Sequence, residues 1–327
     1  MKIVVVDQNL PAVRAELEAG LPAGAEVVWH RAYDEDAVRA DLAGAAVLVS
    51  SRYTRGLREA AGSLRLLQAP SAGVDGIAFD AVPEGVAVAN TFHHEGSMAE
   101  QVVASTVVLR RGLVRLDAEL RRGRWASSTY DPDQAQPSSL EGARVGFVGF
   151  GHIGTATWRL FRAFGASGAA VTGSGSTDAA AHGLAWAGTT AADLDRLLGE
   201  SDVVVVSAPL TAATRGMVGS EQLARMRPDA VLVNVGRGPL VDEHALYGAL
   251  ATRAIGGAVL DVWWRYPRAG AEGEPSSQPF GDLDNVLLTP HSSGVTRQTF
   301  LARARDVAEN VRRLGAGEPP VNPVPRP

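Results

Sequence analysis

Three glycines stand out first among the residues that could carry chemistry. The segment "RVGFVGFGHIGTATWRLFRAFG" (144–165) holds Gly149, Gly151 and Gly154 in a G-x-G-x-x-G spacing, directly after an apolar run. Glycine at such positions permits a tight turn, a close approach of the backbone to a pyrophosphate, and close packing of helix on strand. The helix that follows would offer free N–H groups to the anion. The spacing in this context predicts a dinucleotide site.

Three charged or titratable residues follow later apolar runs in the same way. Arg237 lies between two glycines in "VLVNVGRGPLVDEHAL" (231–246), Asp261 ends "GAVLD", and His291 follows "LLTP". In open parallel sheets, ligands bind outside the carboxyl ends of the strands. Taken singly, the arginine could form a surface ion pair, the aspartate could belong to a turn and the histidine could cap a loop. Together, behind the glycine loop, they favour one active site.

The elements that must position these residues alternate along the chain. Apolar and β-branched runs predict strands at 3–6, 47–49, 65–69, 86–89, 144–148, 203–207, 231–235, 257–261 and 286–289. Segments rich in Ala, Leu and Arg predict helices at 9–19, 34–43, 95–122, 153–164, 220–226, 242–252 and 295–314. Continuous apolar strands separated by helices are typical of parallel sheets covered on both faces, an α/β fold. A chain of 327 residues suggests two domains.

Composition narrows the class of protein. The formal net charge of -5 provides no basic excess for phosphates and argues against a general nucleic-acid binder. The absence of cysteine excludes disulfides, thiolate zinc sites and cysteine nucleophiles. The apolar start "MKIVVV" is too short for a signal peptide or a membrane span, and it fits a first buried strand. We therefore expect a cytoplasmic protein with no membrane partner.

The order of the motifs, "GxGxxG … NVGRGPLVDEHAL … GAVLDV … LLTPHSSG", resembles the D-isomer-specific 2-hydroxyacid dehydrogenase family over almost the whole chain. "LQAPSAGVDGI" (67–77) is similar to the family's substrate-binding turn, and "NTFHHEGSMAEQVV" (90–103) to its first interdomain segment. The resemblance implies two Rossmann-like or flavodoxin-like parallel-sheet domains with an interdomain cleft. Residues 1–94 plus 293–327 would form a discontinuous substrate-binding domain, and residues 95–292 the dinucleotide-binding domain. It also implies a homodimer that uses the helix at 95–122 and the arm at 123–140.

The resemblance further implies hydride transfer between NAD(P) and a small 2-keto or 2-hydroxy acid. Arg237 would bind the substrate carboxylate, and His291 would be the general acid or base. Ala72 and Gly73 would hold the carboxylate through backbone N–H groups, and His94 would contact substrate. The cofactor-binding set implied by the motifs comprises Gly149, Gly151, His152, Ile153, Gly154, Ser174, Ala208, Pro209, Thr214, Val235, Asp261 and Ser293.

The residue that should select the cofactor is not acidic. Ser174 stands where a carboxylate would hold the ribose 2′-hydroxyl, and the first acid, Asp178, comes several residues later. Without that carboxylate a 2′-phosphate is not repelled, which permits NADP. No Arg or Lys lies nearby to attract the phosphate. Both NAD and NADP stay open, with a slight preference for NADP.

A second departure concerns the partner of His291. The family usually has a glutamate five residues beyond the acid at Asp261, and that position is Tyr266. A carboxylate beside a histidine raises its pKa, whereas a neutral phenol supplies no charge. Tyr266 could orient His291, which then works as an acid of lower pKa. Alternatively, Glu272 or Glu274 takes over the role, or the reaction needs no proton transfer, as in the formate dehydrogenase branch.

Other functions stay open at this stage. The same arginine and backbone donors suit formate, phosphite or a phosphonate. A dinucleotide-binding regulatory protein without efficient catalysis is a third hypothesis, supported by Tyr266 alone. In "FHHEG" (92–96), His93, His94 and Glu95 should lie near the hinge, where substrate contact or hinge hydrogen bonding is favoured over metal. We therefore expect no metal.

Overall fold

The computed structural model describes residues 1–267 and 272–326. It divides into two compact units, Met1–His94 with Val295–Pro327 and Glu95–Gly294. The predicted α/β class is confirmed, with parallel sheets in both units. No helix within the described ranges is long and apolar enough to cross a membrane.

The first unit is built on a five-stranded parallel sheet. Its strands and helices up to residue 94 are β1 (Lys2–Val6), α1 (Arg14–Ala19), β2 (Glu26–His30), α2 (Glu35–Leu42), β3 (Val47–Ser50), β4 (Arg52–Tyr53), β5 (Leu66–Gln68), β6 (Gly76–Ile77) and β7 (Ala87–Ala89). The sheet order is β2-β1-β3-β5-β7, and β4 pairs with β6 separately. Apart from that small pair, this is the flavodoxin-like order.

The second unit carries a seven-stranded parallel sheet. Its elements are α3 (Glu95–Arg110), α4 (Leu113–Arg121), β8 (Arg144–Val148), α5 (His152–Ala163), β9 (Ser167–Thr172), α6 (Ala179–His182), β10 (Trp186–Thr189), α7 (Thr190–Glu200), β11 (Val203–Val206), α8 (Ser220–Arg225), β12 (Val231–Asn234), α9 (Glu243–Ala251), β13 (Gly257–Leu260) and β14 (Val286–Leu288). The order β10-β9-β8-β11-β12-β13-β14 is Rossmann-like and reverses between β8 and β11. That reversal is the point where such sheets bind ligands.

The last helix returns to the first unit. This helix, α10 (Arg297–Ala316), packs its buried face, which includes Phe300 and Val307, in one cluster with Ile3 and Val5 of β1. Its side chains and those of α1 cover one face of the five-stranded sheet, while α2 covers the other. Burial on both faces explains why β1 and β3 read as continuous apolar runs.

Two predicted helices differ from the structure. The predicted helix 95–122 is wrong as a single element because Gly112 adopts a left-handed φ of 60° and separates α3 from α4. The predicted helix 9–19 begins with a 3-10 turn at Leu10–Val13, since Pro11 near its start has no N–H to donate and Asp7 accepts the neighbouring N–H groups instead. Neither difference moves the ends of β8, β12, β13 or β14.

Candidate active site

The glycine loop joins β8 to α5 at the reversal of strand order. Gly149 has φ +88°, and a Cβ there would lie 2.6 Å from the backbone nitrogen of Ala208. A Cβ on Gly154 would lie 3.0 Å from the carbonyl oxygen of Gly149. At Gly151, by contrast, no atom of the described residues lies within 4 Å of the Cβ position. The helix N-terminus and the open space beside Gly151 fit a pyrophosphate, as the sequence predicted.

The loop that follows β11 is tied to this turn. The Ser207 hydroxyl donates a hydrogen bond to the Gly149 carbonyl oxygen at 2.9 Å, and Ala208 is buried beside it. Thr214 donates its hydroxyl to the Pro209 carbonyl oxygen at 2.8 Å. Three of the expected cofactor residues, Ala208, Pro209 and Thr214, thus lie in one internally hydrogen-bonded loop at the carboxyl end of β11.

The segment after β9 provides hydroxyl groups, and its first carboxylate caps a helix. Ser174 is exposed, and its hydroxyl lies 2.7 Å from that of Ser176. Asp178, the first acid, accepts a hydrogen bond from the Ala181 N–H at 3.0 Å as the N-cap of α6. One oxygen of this carboxylate is therefore engaged at the start of α6.

Arg237 follows β12 in a turn that leaves no room for larger neighbours. A Cβ on Gly238 would lie 2.3 Å from the carbonyl carbon of Trp263, and one on Gly236 would lie 3.1 Å from the carbonyl oxygen of Ala208. The buried Asn234 amide donates to the Arg237 carbonyl oxygen at 3.0 Å and accepts from the Gly236 N–H at 3.2 Å. Asn234 therefore shapes the turn that presents the guanidinium, a role the sequence analysis missed. Val235, which was expected in the cofactor set, follows Asn234 in the chain and is buried.

Asp261 follows β13 and is fully buried. Its carboxylate accepts hydrogen bonds from the Thr289 hydroxyl at 2.6 Å and from the Ser292 N–H at 2.8 Å. The Ser293 N–H donates at 3.1 Å, and the Ser293 hydroxyl donates as well. Gln101 of α3 adds an amide contact at 3.3 Å and also donates to the Thr289 hydroxyl at 3.0 Å. The carboxylate thus holds both ends of the segment that carries His291.

Gln101 and Thr289 were not predicted to belong to the site. In the sequence, Thr289 is a polar residue directly after the apolar run of β14, which is only a weak indication of a role. Gln101 is a polar residue next to apolar ones in the helical stretch "EQVVASTVV". Neither signal identifies the contacting residue, because Asp261 lies 28 positions from Thr289 and 160 positions from Gln101, and no sequence pattern links them.

His291 has a left-handed backbone, with φ +55°. That conformation is uncommon for a residue other than glycine, and the hydrogen bonds from Ser292 and Ser293 to Asp261 hold it. Burial is the main reason why the pKa of the imidazole lies below its ordinary value of 6.5. The Asp261 carboxylate opposes this change, and the Arg237 guanidinium adds to it. The direction agrees with an acid that has no carboxylate in direct contact.

Tyr266 lies beside His291, as the first interpretation required. The two ring centres are 5.5 Å apart with a 48° angle between the planes. The Trp263 N–H donates to the Tyr266 hydroxyl oxygen at 3.2 Å, which fixes the phenol and leaves its own proton for another acceptor. Burial raises the pKa of Tyr266, so the phenol is neutral at physiological pH.

The acids proposed as substitutes do not contact the imidazole. Glu272 and Glu274 are exposed, and across the described ranges neither forms a hydrogen bond or ion pair with His291. The charged groups that act on His291 are Asp261 and Arg237. The interpretation in which Glu272 or Glu274 pairs with His291 therefore gains no support from these contacts.

The remaining expected residues divide between the two units. In the second unit, Ile153 packs in the core beside the glycine loop, and the Nδ1 atom of His152 lies 3.8 Å from a Glu95 carboxylate oxygen. In the first unit, Ala72 and Gly73 lie in a turn whose Ala72 carbonyl oxygen accepts from the Asn90 amide at 2.8 Å. His94 is the last residue of that unit before α3. Among the described residues, no group of three or more His, Asp or Glu side chains is arranged to hold a metal ion.

Comparisons with known proteins identify the family. The family model for the D-isomer specific 2-hydroxyacid dehydrogenase NAD binding domain matches residues 103–293. A glyoxylate reductase of Korarchaeum cryptofilum is 34% identical over 269 residues, which covers 81% of this chain and 77% of that protein. A D-3-phosphoglycerate dehydrogenase of Methanocaldococcus jannaschii is 31% identical over 270 residues, 82% of this chain but 49% of that protein. The chain therefore spans about half the length of this second relative.

The solved structures include a relative of the same overall extent. The NADPH-dependent glyoxylate/hydroxypyruvate reductase of Sinorhizobium meliloti has a TM-score of 0.79 and 29% sequence identity. The match covers 99% of this chain and 97% of that chain. The match therefore includes residues of both units.

Proposed function

Because the chain belongs to the D-isomer specific 2-hydroxyacid dehydrogenase family and is an NAD(P)-dependent oxidoreductase, we propose that it reduces small 2-keto acids, with Arg237 and His291 in the roles expected from the sequence. One observation carries the proposal. Arg237, Asp261 and His291 follow the neighbouring strands β12, β13 and β14, at the same edge of the sheet as the glycine loop after β8. Arg237 and Asp261 both act electrostatically on the His291 imidazole, which supports a shared site.

In the proposed reaction each side chain has a separate task. The nicotinamide, when bound, supplies the hydride. The Arg237 guanidinium binds the substrate carboxylate and polarises the neighbouring carbonyl group. The protonated His291 imidazole gives its N–H proton to the carbonyl oxygen, and the reverse transfer serves oxidation. Asp261 acts through the His291 segment, because its oxygens already accept hydrogen bonds from Thr289, Ser292 and Ser293.

Tyr266 has a positioning role in this proposal. Its ring limits the orientations of the imidazole, and its neutral hydroxyl adds no charge that would raise the histidine pKa. His291 is then a stronger acid than an imidazole paired with a carboxylate. Such an acid favours reduction over oxidation at mildly acidic pH, since it is a better proton donor and a weaker base.

The proposed cofactor is NADPH. The support is the segment after β9, where Ser174 and Ser176 offer hydroxyl groups and Asp178 is engaged as a helix cap. Hydroxyl groups can donate to a 2′-phosphate, whereas a carboxylate in the same place would repel it. The glycine loop fits the pyrophosphate of either cofactor, so the ribose end decides the preference.

We also propose a homodimer and a cytoplasmic location. The support for the dimer is α4, which buries none of its residues, together with the exposed pair Trp125 and Tyr130, 59% and 64% exposed with ring centres 5.0 Å apart. Exposed apolar surface of this kind is typical of protein interfaces. Sedimentation equilibrium of the full chain tests the dimer, and a monomer at micromolar concentration would refute it.

The reaction is tested by a panel of 2-keto acids, with NADPH and NADH oxidation followed by absorbance. We expect turnover of at least one 2-keto acid, with a higher kcat/KM for NADPH than for NADH. Arg237→Gln should lower kcat/KM at least about tenfold through loss of a charged hydrogen bond, whereas Arg225→Gln, an exposed arginine, should not. Oxidation of formate, phosphite or a phosphonate without any 2-keto acid turnover would contradict the proposal and favour the other oxyanion class.

A further inference from the structure

A cavity lined by charged and polar side chains lies wholly within the first unit. Its volume is about 230 Å³, and it opens at the carboxyl ends of β1, β2 and β3. The carboxyl edge of a parallel sheet is the usual place for a ligand in this architecture. The polar residues that line it include Asp7, Asn9, Arg31, Tyr33, Ser51 and Arg52.

Two arginines, Arg31 and Arg52, line this cavity. Across the described parts of the chain, neither Arg31 nor Arg52 forms an ion pair with a carboxylate. The Arg52 guanidinium carbon lies 4.4 Å from the centre of the Tyr33 ring. Stacking on an aromatic face fixes the plane of a guanidinium and leaves its N–H edges available. Two parallel N–H groups on such an edge can donate to two oxygens of a carboxylate or a phosphate.

The acids near the cavity are engaged elsewhere. The Asp7 carboxylate accepts hydrogen bonds from the N–H groups of Asn9 and Leu10, both at 2.7 Å, and Arg303 acts on it electrostatically. Asp34 caps α2 through the Asp36 and Ala37 N–H groups. Their hydrogen bonds run to backbone groups, so neither carboxylate is paired with Arg31 or Arg52.

The cavity is joined by hydrogen bonds to the turn that we expect to hold the substrate carboxylate. The hydroxyl of Ser51, which lines the cavity between β3 and β4, lies 2.7 Å from the Ser71 hydroxyl. Ser71 in turn donates to the Gly73 carbonyl oxygen at 2.8 Å. A ligand group bound beside Arg52 is therefore a neighbour of the turn formed by residues 71–73, within the same unit.

From these contacts we propose that the cavity binds a second anionic group of the substrate, a carboxylate or a phosphate, through Arg52 and Arg31. The preferred substrate is then a 2-keto acid with a distal negative charge rather than one with an apolar side chain. This inference rests on the proposed function for the identity of the reacting group. The site itself stands on the cavity, the two cations and the Tyr33 ring.

The test compares substrates that are matched in length and differ in distal charge. One arm pairs 2-oxoglutarate with 2-oxopentanoate, and the other pairs phosphohydroxypyruvate with hydroxypyruvate, at constant ionic strength. We expect the wild type to prefer the dianion in at least one arm by about tenfold or more in kcat/KM. The arm that shows the preference tells a carboxylate from a phosphate. No preference in either arm would overturn the inference.

Variants assign that preference to the cavity. Arg52→Gln should reduce the ratio of kcat/KM between dianion and monoanion by about tenfold, and Arg31→Gln should reduce it less because no ring of the described residues stacks on its guanidinium. Arg55→Gln is the matched control, an arginine 77% exposed and paired with Asp80. An unchanged ratio in Arg52→Gln would also overturn the inference.

A binding measurement separates this inference from the proposed reaction. Glutarate and inorganic phosphate are titrated calorimetrically into the full chain without cofactor, in the wild type and in Arg52→Gln. A dissociation constant at least about tenfold weaker in the variant supports the site, even if no 2-keto acid is reduced. Equal or undetectable binding of both probes overturns the site, even if uncharged 2-keto acids are reduced.

Discussion

The charged groups at the carboxyl edges of the two parallel sheets differ in their burial and in their hydrogen-bond partners. At the seven-stranded sheet, the Asp261 carboxylate is fully buried, and Gln101, Thr289, Ser292 and Ser293 all hydrogen-bond to it. At the five-stranded sheet, Arg31 and Arg52 line an open cavity without a carboxylate partner among the described residues. The first edge is organised before any ligand binds, as proton transfer requires, whereas the second can accept a charge from the ligand.

The comparison also explains what Tyr266 changes. The buried Asp261 carboxylate fixes the histidine segment through its hydrogen bonds, and the neutral Tyr266 lies beside the ring. Positioning and charge compensation are thus separated in this chain. The imidazole is held firmly and keeps a lowered pKa.

The largest expected effect is the loss of the proton donor at the organised edge. His291→Gln should lower kcat/KM for 2-keto acid reduction by about 10²–10⁴-fold, the usual contribution of general acid catalysis. Binding of NADPH, followed by fluorescence titration, should change little because the glycine loop is intact. His244→Gln, at an exposed position on α9, is the matched control. Activity within a few-fold of wild type in His291→Gln would remove the histidine from the mechanism.

Removal of the buried charge should have an intermediate effect on stability. Asp261→Asn replaces a carboxylate that accepts several hydrogen bonds by an amide with one acceptor oxygen, which should cost about 1–3 kcal/mol in the free energy of unfolding. It also removes the group that raises the His291 pKa, so the fall of kcat/KM with rising pH should begin at lower pH. Denaturant unfolding and a pH profile measure the two effects. Asp229→Asn, with a side chain 58% exposed, should change neither.

Much of this organisation could be predicted from the sequence. Gly149, Arg237, Asp261 and His291 each follow an apolar run, and the α/β alternation places such ends together. The edge strand β10 was missed because all four of its residues are only partly buried, so no continuous apolar run marks it. The break at Gly112 was missed because the residues on both sides favour helix. The cavity beside Arg52 depends on a ring contact with Tyr33, and the identity of that partner is not written in the local pattern.

The most direct test of the account is the pH profile of kcat/KM for 2-keto acid reduction, measured in the wild type and in Tyr266→Glu. Protonated His291 is the working form, so activity falls as pH rises through its pKa. We predict a wild-type limb near or below about 6.5, because burial lowers that pKa. In Tyr266→Glu the added carboxylate should move the limb to higher pH by about one pH unit or more. A wild-type limb well above about pH 8, unchanged in Tyr266→Phe, would show that a carboxylate partner acts on His291 and would contradict the account.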